Sequence, residues 1–571
     1  MKFIEKNNTN DDIIRRICEN RNVNYDNLQE FLNPCKDNIM NPLVYKNMKK
    51  GAEMILSRVK SGLPIGILVD PDADGYCSSA MLINYLMETF AFKNFIIYMH
   101  EDKTHGLSDN IVSKILEDKP SLMITPDSSS LDFDSHEILF QNGIDLLVID
   151  HHDCNGYSDF ATIINTQLVE NGNKTLSGGG MVLKMLELLD IMTGNNNAEN
   201  YYDLASVSLV ADCMDMTHLE TRYYVQKGIR NLQNPLLVEL CRAESEKDYE
   251  TISFEIAPTI NAFTRVGTME EKLDLFWAMI GCSYQREITL RGQGEFSLPV
   301  AEYIAKMSSR IKSRQNTQIN KALNSEDTEI ISENMPFTVC LLTEKANRTL
   351  TGLIGNRLVE KFRKPAIIIK KVSKTEFRGS GRTTETFPNF KSYLKEFNIF
   401  NYCAGHEGAF GVSIDNENLN KLFELIRNKN LGENSDAYIV DKAYIGRVSA
   451  FDILAVSELN NFYSKGFEKP LFFIEHDISP NELDIIGQKR NTIRIKHNNV
   501  TYVKFKCSED EIEKVRRINA TRIKLVGTFE TNEYNDRLYP QVIIEDYELE
   551  GEEKQIGFGS DLAFGFGAIN W

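Results

Sequence analysis

Short apolar runs, each closed by polar residues, recur through the first third of the chain: Ile65 to Val69, Phe95 to Met99, Leu122 to Thr125, Leu146 to Ile149 and Thr162 to Ile164. Runs this short, flanked by stretches of helical period, predict buried strands of a parallel sheet. The residues that close them then lie at the carboxyl ends of the strands, where such sheets bind ligands. Asp70, Asp72 and Asp74 follow the first run, Asp127 the third, and Asp150, His151 and His152 the fourth. Further on, Ser297 to Asn324 is rich in Ala, Lys, Arg, Met and Gln and predicts a long helix. Thr338 to Leu342 and Ala366 to Ile369 predict strands of a second α/β domain. Six short β-like runs follow, at Tyr438 to Val440, Leu471 to Ile474, Thr492 to Lys496, Thr501 to Lys506, Ile523 to Val526 and Gln541 to Ile544. Separated by turn-like stretches, they suggest a small barrel.

The expected fold class is α/β, with two α/β domains joined by a long helix and a C-terminal β-barrel. The expected boundaries are an N-terminal extension over 1–45, a first α/β domain over 46–285 and the connecting helix over 286–325. A second α/β domain over 326–430, the barrel over 436–547 and an acidic, aromatic tail over 548–571 complete the chain.

Ligand type sets the chemistry of the clustered residues. Oxygen-rich sites with a few imidazoles suit Mn²⁺ or Mg²⁺ better than a thiophilic ion. Two such ions about 3.5–4 Å apart activate a water and clamp the attacking and leaving oxygens of a phosphate ester. A shared carboxylate such as Asp127 holds that spacing. A divalent-metal phosphoesterase is therefore expected.

Composition narrows the setting. Of 571 residues, 42% are hydrophobic, enough for several sizeable cores. The ten cysteines form no Cys-x-x-Cys pair, which argues against structural zinc or disulfides and for a reducing compartment. No signal-peptide pattern and no apolar run of the ~20 residues a membrane span needs are present, so a cytoplasmic protein without membrane attachment is expected. The net charge of −18 is unusual for a nucleic-acid enzyme, for which a local basic stripe is the footprint to seek. Arg357 to Arg382 holds nine basic and two acidic residues. From Glu545 to Trp571 there are seven acids and one lysine, with Phe558, Phe564, Phe566 and Trp571 among glycines.

The metal-binding segments resemble those of the DHH phosphoesterases, and within them the RecJ-type single-strand-specific exonucleases, over most of the chain from about Phe31 to Tyr547. Asp70-Pro-Asp-Ala-Asp-Gly75 looks like the first motif, Asp127 the second, Asp150-His-His152 the third and Ala211-Asp212 the fourth. The resemblance implies that Asp72 and Asp74 each bind one metal ion and that Asp127 bridges them. It also implies that His151 and Asp212 complete the second site and that His152 contacts the scissile phosphate, with Asp70 either a ligand or an acceptor that orients one. Ile256-Ala-Pro-Thr-Ile-Asn-Ala262 with Arg265 resembles a segment that meets the DNA terminus. Arg378-Gly-Ser-Gly-Arg382 resembles a Gly-Ser-x-Arg loop, and Ala404-Gly-His-Glu-Gly-Ala-Phe-Gly411 a glycine-histidine motif. Asn261, Arg265, Ser380, Arg382, Gly405 and His406 are thus implied to bind substrate, with Ser380 and Arg382 on a terminal 5′-phosphate and glycines allowing the backbone to approach it. Three places depart from the family pattern: Val69, the run Ser128-Ser-Ser130 and Ala404.

The resemblance makes the second α/β domain the DHH-associated substrate domain and the barrel OB-like. Within the barrel, Arg490, Arg494, Lys496, Tyr502, Lys504 and Lys506 alternate cations with an aromatic as a strand-binding face would. The activity implied is a two-metal exonuclease, Mn²⁺- or Mg²⁺-dependent, that degrades single-stranded DNA 5′ to 3′ to mononucleotides in repair, recombination or replication. The alternatives are a DHH-family phosphodiesterase of short oligoribonucleotides or cyclic dinucleotides, and a non-catalytic nucleic-acid-binding scaffold. A monomer is expected, with single-stranded DNA as partner and the tail as a docking peptide for a single-strand-binding protein or a helicase.

Overall fold

The computed structural model describes residues 1–6, 10–241, 247–290, 292, 294–333, 335–427, 437–535 and 537–553. The chain forms two compact units: residues 26–436 with 461–468, and residues 1–25 with 437–460 and 469 onward.

The first unit opens on a five-stranded parallel sheet. Its spatial order is Phe95–Met99, Ile65–Val69, Leu122–Pro126, Asp145–Asp150 and Thr162–Asn165. In chain order this is 2-1-3-4-5, so the direction of winding reverses between the strands that end before Asp70 and Asp127. That reversal opens the crevice in which doubly wound sheets bind ligands. The helix Ala73–Phe90 is buried continuously from Ala73 to Leu86. A helix that is apolar on every side belongs inside a layer of helices, and Gly178–Thr193 and Tyr202–Ala211 pack beside it.

Between residues 280 and 325 the structure differs from the sequence expectation of a helix over 286–325. Gln285–Leu290 and Gly294–Pro299 pair as an antiparallel hairpin, and the helix runs only from Val300 to Leu323. Gly292 and Gly294 take positive φ at the turn, and Pro299 cannot donate within a helix, so the chain enters the helix only after it. The long helix leads to a six-stranded mixed sheet, ordered Phe400–His406, Ala409–Asp415, Glu376–Arg382, Ala366–Lys371, Thr338–Leu342 and Glu329–Ile331. This sheet has its own core around Phe337, Phe390 and Phe410.

The second unit is built on a seven-stranded sheet in which the 17-residue strands Ile518–Tyr534 and Arg537–Glu553 pair along their length. Apolar patterning marks only Ile523 to Val526 and Gln541 to Ile544 in these strands, because their polar ends carry no apolar signal. It also ends the barrel at 547, whereas the strand continues to Glu553. Leu483–Ile486 and Lys442–Ile445 join this sheet, while Tyr438–Val440 pairs in parallel with Phe3–Glu5 instead. The expected 1–45 extension is therefore divided: residues 1–25 complete the C-terminal unit and residues from 26 onward belong with the first. The tail aromatics Phe558, Phe564, Phe566 and Trp571 lie outside the described residues.

Candidate metal centre and substrate cleft

Asp70 and Asp72 occupy the turn between the strand Ile65–Val69 and the helix Ala73–Phe90. Asp72 caps that helix, its side chain accepting from Gly75 N–H at 3.1 Å. Asp70 is buried, accepting from Gly106 N–H at 3.3 Å and lying 2.5 Å from Nδ1 of His105. Asp74 points from the first helical turn to the N-terminus of Gly178–Thr193. There it accepts from Gly178 N–H at 2.9 Å, Gly179 N–H at 2.8 Å and the Ser208 hydroxyl. Unpaired N–H groups at a helix start favour a carboxylate. The approach requires glycine, since a Cβ at Gly178 would overlap Asp127 and one at Gly179 would overlap Ser208.

Asp127 follows the strand Leu122–Pro126 with φ of +63°, in the left-handed region. Its Oδ1 lies 3.2 Å from Nε2 of His151, and that nitrogen is 3.4 Å from Oδ2 of Asp212 and 3.8 Å from Oδ2 of Asp74. Asp127 Oδ1, His151 Nε2 and Asp212 Oδ2 are all buried without a hydrogen-bond partner. Burial, then the charges of Asp74, Asp72, Asp70 and Asp212, push the Asp127 carboxyl well above the usual range. Burial likewise raises Asp74, partly opposed by His151. Three orphaned atoms converging among crowded carboxylates are what a cation site needs, and buried charges persist only when paired or metal-bound. Asp74, His151 and Asp212 bring ligand atoms close enough for one ion, as do Asp70, Asp72 and His105, and Asp127 feels the charges of carboxylates in both groups.

Asp150 is spent on orientation. It accepts from His151 N–H at 2.7 Å, His152 N–H at 3.2 Å, His152 Nδ1 at 2.8 Å and Ser130 N–H at 3.1 Å. Burial alone would lower His152, but the Asp150 carboxylate outweighs it and lifts the imidazole to about 10. The His152 ring is half-exposed and tethered at Nδ1, which leaves Nε2 unengaged by Asp150.

Two of the residues expected to bind substrate, Ser380 and Arg382, lie at the start of the helix Thr351–Phe362. Arg378 to Arg382 is part of the strand Glu376–Arg382 rather than a loop. Its glycines admit neighbours within the protein: a Cβ at Gly379 would strike the Ile368 carbonyl and one at Gly381 the Phe410 ring. The expected phosphate approach for these glycines is therefore corrected. Ser380 Oγ is 2.8 Å from Thr351 Oγ1 at the start of the helix, and Arg382 lies over Gly352. Burial, then the charge of Arg265, lowers Arg382 to about 10. Burial and the same two arginines lower Lys103, a cation that no sequence motif singles out. Arg265 is held through its carbonyl by Thr349 Oγ1 at 2.9 Å. Asn261 accepts from Ala73 N–H at 3.2 Å, which makes it a support of the first motif. Gly405 has φ of +117°, and His406 beyond it reaches Asp212 Oδ2 at 3.9 Å.

Other expected contacts are spent elsewhere. In the basic run, Arg357 binds Asn316 and Asn320, Lys364 the carbonyls of Ser332 and Met335, and Lys370 that of Ala346. Arg378 pairs with Glu376. In the C-terminal unit Tyr502 is fully buried, so it cannot stack on a base; Arg494 pairs with Asp484, and Lys504 bonds the Glu545 carbonyl. Motif spacing also passes over Gly178, Gly179 and Ser208, although the run Ser177-Gly-Gly-Gly180 is a visible sign of a close approach at a helix start.

The chain is similar to known proteins in sequence and in fold. Residues 64–214 match the DHH family, N-terminal domain, and residues 449–546 match the RecJ OB domain. A Bacillus phage SPbeta protein, YorK, provisionally named a single-strand DNA-specific exonuclease, is 30% identical over 96% of this chain and 98% of its own. The single-stranded-DNA-specific exonuclease RecJ of Bacillus subtilis is 24% identical over 90% of this chain and 65% of its own. In fold, the chain is similar to the crystal structure of RecJ in complex with Mn²⁺ from Thermus thermophilus, with a TM-score of 0.71 at 18% identity, covering 94% of this chain and 76% of that one. The chain belongs to the DHH phosphoesterase family, in its RecJ-type group.

Proposed function

We propose that the protein is a metal-dependent exonuclease that degrades single-stranded DNA from the 5′ end to mononucleotides, serving repair, recombination or replication. The observation that carries this reading is the meeting of Asp127 Oδ1, His151 Nε2 and Asp212 Oδ2, buried and without hydrogen-bond partners, in a cleft that also holds the Lys103, Arg265 and Arg382 cations. Asp74, His151 and Asp212 would hold one divalent ion and Asp72 with Asp70 the other, with Asp127 available to both. Bound there, Mn²⁺ or Mg²⁺ supplies positive charge to the phosphoryl oxygens and lowers the pKa of the attacking water. His152, oriented by Asp150, donates to the scissile phosphate and stabilises its developing charge. Arg382, Ser380, Arg265 and Lys103 hold the terminal 5′-phosphate, which seats the first phosphodiester at the metals. Asn261 keeps the first motif in place, and His406 and Gly405 line the opposite wall.

Specificity for single strands is steric on this reading. Across the cleft, Arg348 approaches Asp102 at 3.7 Å, His406 approaches Asp212 at 3.9 Å and Lys391 approaches Asp153 at 4.0 Å. A single strand can displace such side chains, whereas a duplex is too wide to enter.

A reducing, cytoplasmic setting suits the ten cysteines, all unpaired. No helix among the described residues is long and apolar enough to cross a membrane. The protein acts as a monomer, and the acidic, aromatic tail over 548–571 docks a single-strand-binding protein or a helicase. Deleting the last twelve residues then weakens partner binding; unchanged binding would remove that role.

The test of the activity is digestion of one single-stranded DNA labelled at either end, with Mn²⁺ and with chelator. Immediate release of the 5′ label as mononucleotide is expected, with gradual shortening of the 3′-labelled strand. Cleavage confined to short oligoribonucleotides or cyclic dinucleotides would favour the small-substrate alternative, and absence of metal-dependent cleavage the binding scaffold.

A further inference from the structure

We infer that His105 is a ligand of the metal ion held by Asp70 and Asp72, and so supplies the outer ion with an imidazole as His151 supplies the inner one. The inference rests on the two-metal reading above. Ligand atoms of Asp70, Asp72 and His105 all lie within 4.8 Å of one another. Two ligands on opposite sides of one ion, each at about 2.1 Å, are separated by about 4.2 Å, so a single ion spans the group once the 2.5 Å contact between His105 Nδ1 and Asp70 opens to the spacing of adjacent ligands. Two carboxylates and one imidazole form a set that suits Mn²⁺.

The loop that carries His105 is built to present it. His100 Nε2 bonds the Gly106 carbonyl at 2.9 Å, and Thr104 N–H donates to Asp102 at 3.0 Å, so the loop closes on itself. Leu107 N–H donates to Asp132 at 2.8 Å and ties the loop to the residues after Asp127. Gly106 takes φ of +68°, where a Cβ would overlap Asp132, so the chain passes tightly at this point. Asp70 is already oriented by Gly106 N–H, so the imidazole is not needed to hold the carboxylate in place. A half-exposed ion pair is a weak reason for such construction.

The test is equilibrium dialysis of the full-length protein with Mn²⁺, combined with pulsed EPR for nitrogen coupled to the metal. Wild type, His105→Asn and His105→Ala are compared, Asn being able to keep a hydrogen bond to Asp70. The expected result is two bound ions in the wild type, with one weakened about tenfold or more in both variants, the other unchanged, and one nitrogen coupling lost. Two ions of wild-type affinity with all nitrogen couplings retained in His105→Asn would overturn the inference. If Asn alone restored affinity while wild type showed only one coupled imidazole, His105 would be a positioning residue and the ligand assignment would fall. No Mn²⁺ bound to the wild type would instead sink the two-metal reading itself.

Discussion

Asp127 combines a left-handed backbone with a buried carboxylate. Its left-handed backbone is tolerated by aspartate better than by most residues, yet costs about 1–3 kcal/mol in strained cases. The conformation aims a buried carboxylate oxygen at His151, and Gly178 gives it space. Gly178→Ala is therefore expected to displace Asp127 and weaken Mn²⁺ binding by about 10–100-fold, the usual scale for disturbing the support of a ligand. Equilibrium dialysis beside a thermal melt separates this from loss of folding. Asp150 supports function from the other side, because it fixes the His152 ring at Nδ1. Asp150→Asn is expected to lower kcat by about 10–100-fold while both metal affinities stay within a few-fold of wild type.

Besides the pairing of Phe3–Glu5 with Tyr438–Val440, a buried carboxylate ties the N-terminal residues to the C-terminal unit. Asp441 accepts from Arg21 at 2.7 and 3.0 Å and from Asn20 at 2.8 Å, and Lys6 lies 3.5 Å away. Burial works against the charge, but Arg21 and then Lys6 outweigh it and hold the carboxyl below its usual range. Asp441→Ala leaves the Arg21 guanidinium buried without its counter-charge, a loss of about 3–5 kcal/mol for that unit, readable as a lower urea midpoint. Because the folded-state pKa is the depressed one, the pair's stabilisation is complete above the unfolded aspartate value of about 3.9 and fades as pH falls through the folded value. Wild type should therefore lose its advantage over Asp441→Ala progressively as pH falls below about 4, and an advantage that did not decline there would contradict the assignment.

Taken over the full chain, positive charge is concentrated by the fold rather than by composition. The net charge is −18, and much of the basic run from Arg357 is consumed by carbonyls and amides. Lys103, Arg265 and Arg382, from three distant stretches, are left in one cleft. Each charge-assisted hydrogen bond to a phosphate is worth about 1.5–3 kcal/mol. Arg382→Ala should thus lower kcat/KM about 10–150-fold on 5′-phosphorylated strands, with little effect on 5′-hydroxyl strands. The same variant should flatten the salt dependence of single-strand binding by about 0.7 in log–log slope, the contribution of one neutralised phosphate.

The order and chemistry of the metal motifs are legible in the sequence alone, because Asp70 to Asp74, Asp127 and Asp150 to His152 each end a buried strand and so share one edge of a parallel sheet. Local patterning suffices for the α/β character and for the long helix, which begins at Val300 rather than at Ser297. His105 and Lys103 are not legible in that way, and the glycine run at 178 and 179 signals a close approach without naming its partner, since these roles come from neighbours tens of residues or more away. The division of the N-terminal 45 residues, the burial of Tyr502 and the internal use of the basic run belong to the same class. A periodic apolar pattern records which face of an element is buried, whereas the partner a polar side chain meets is decided only when remote segments pack.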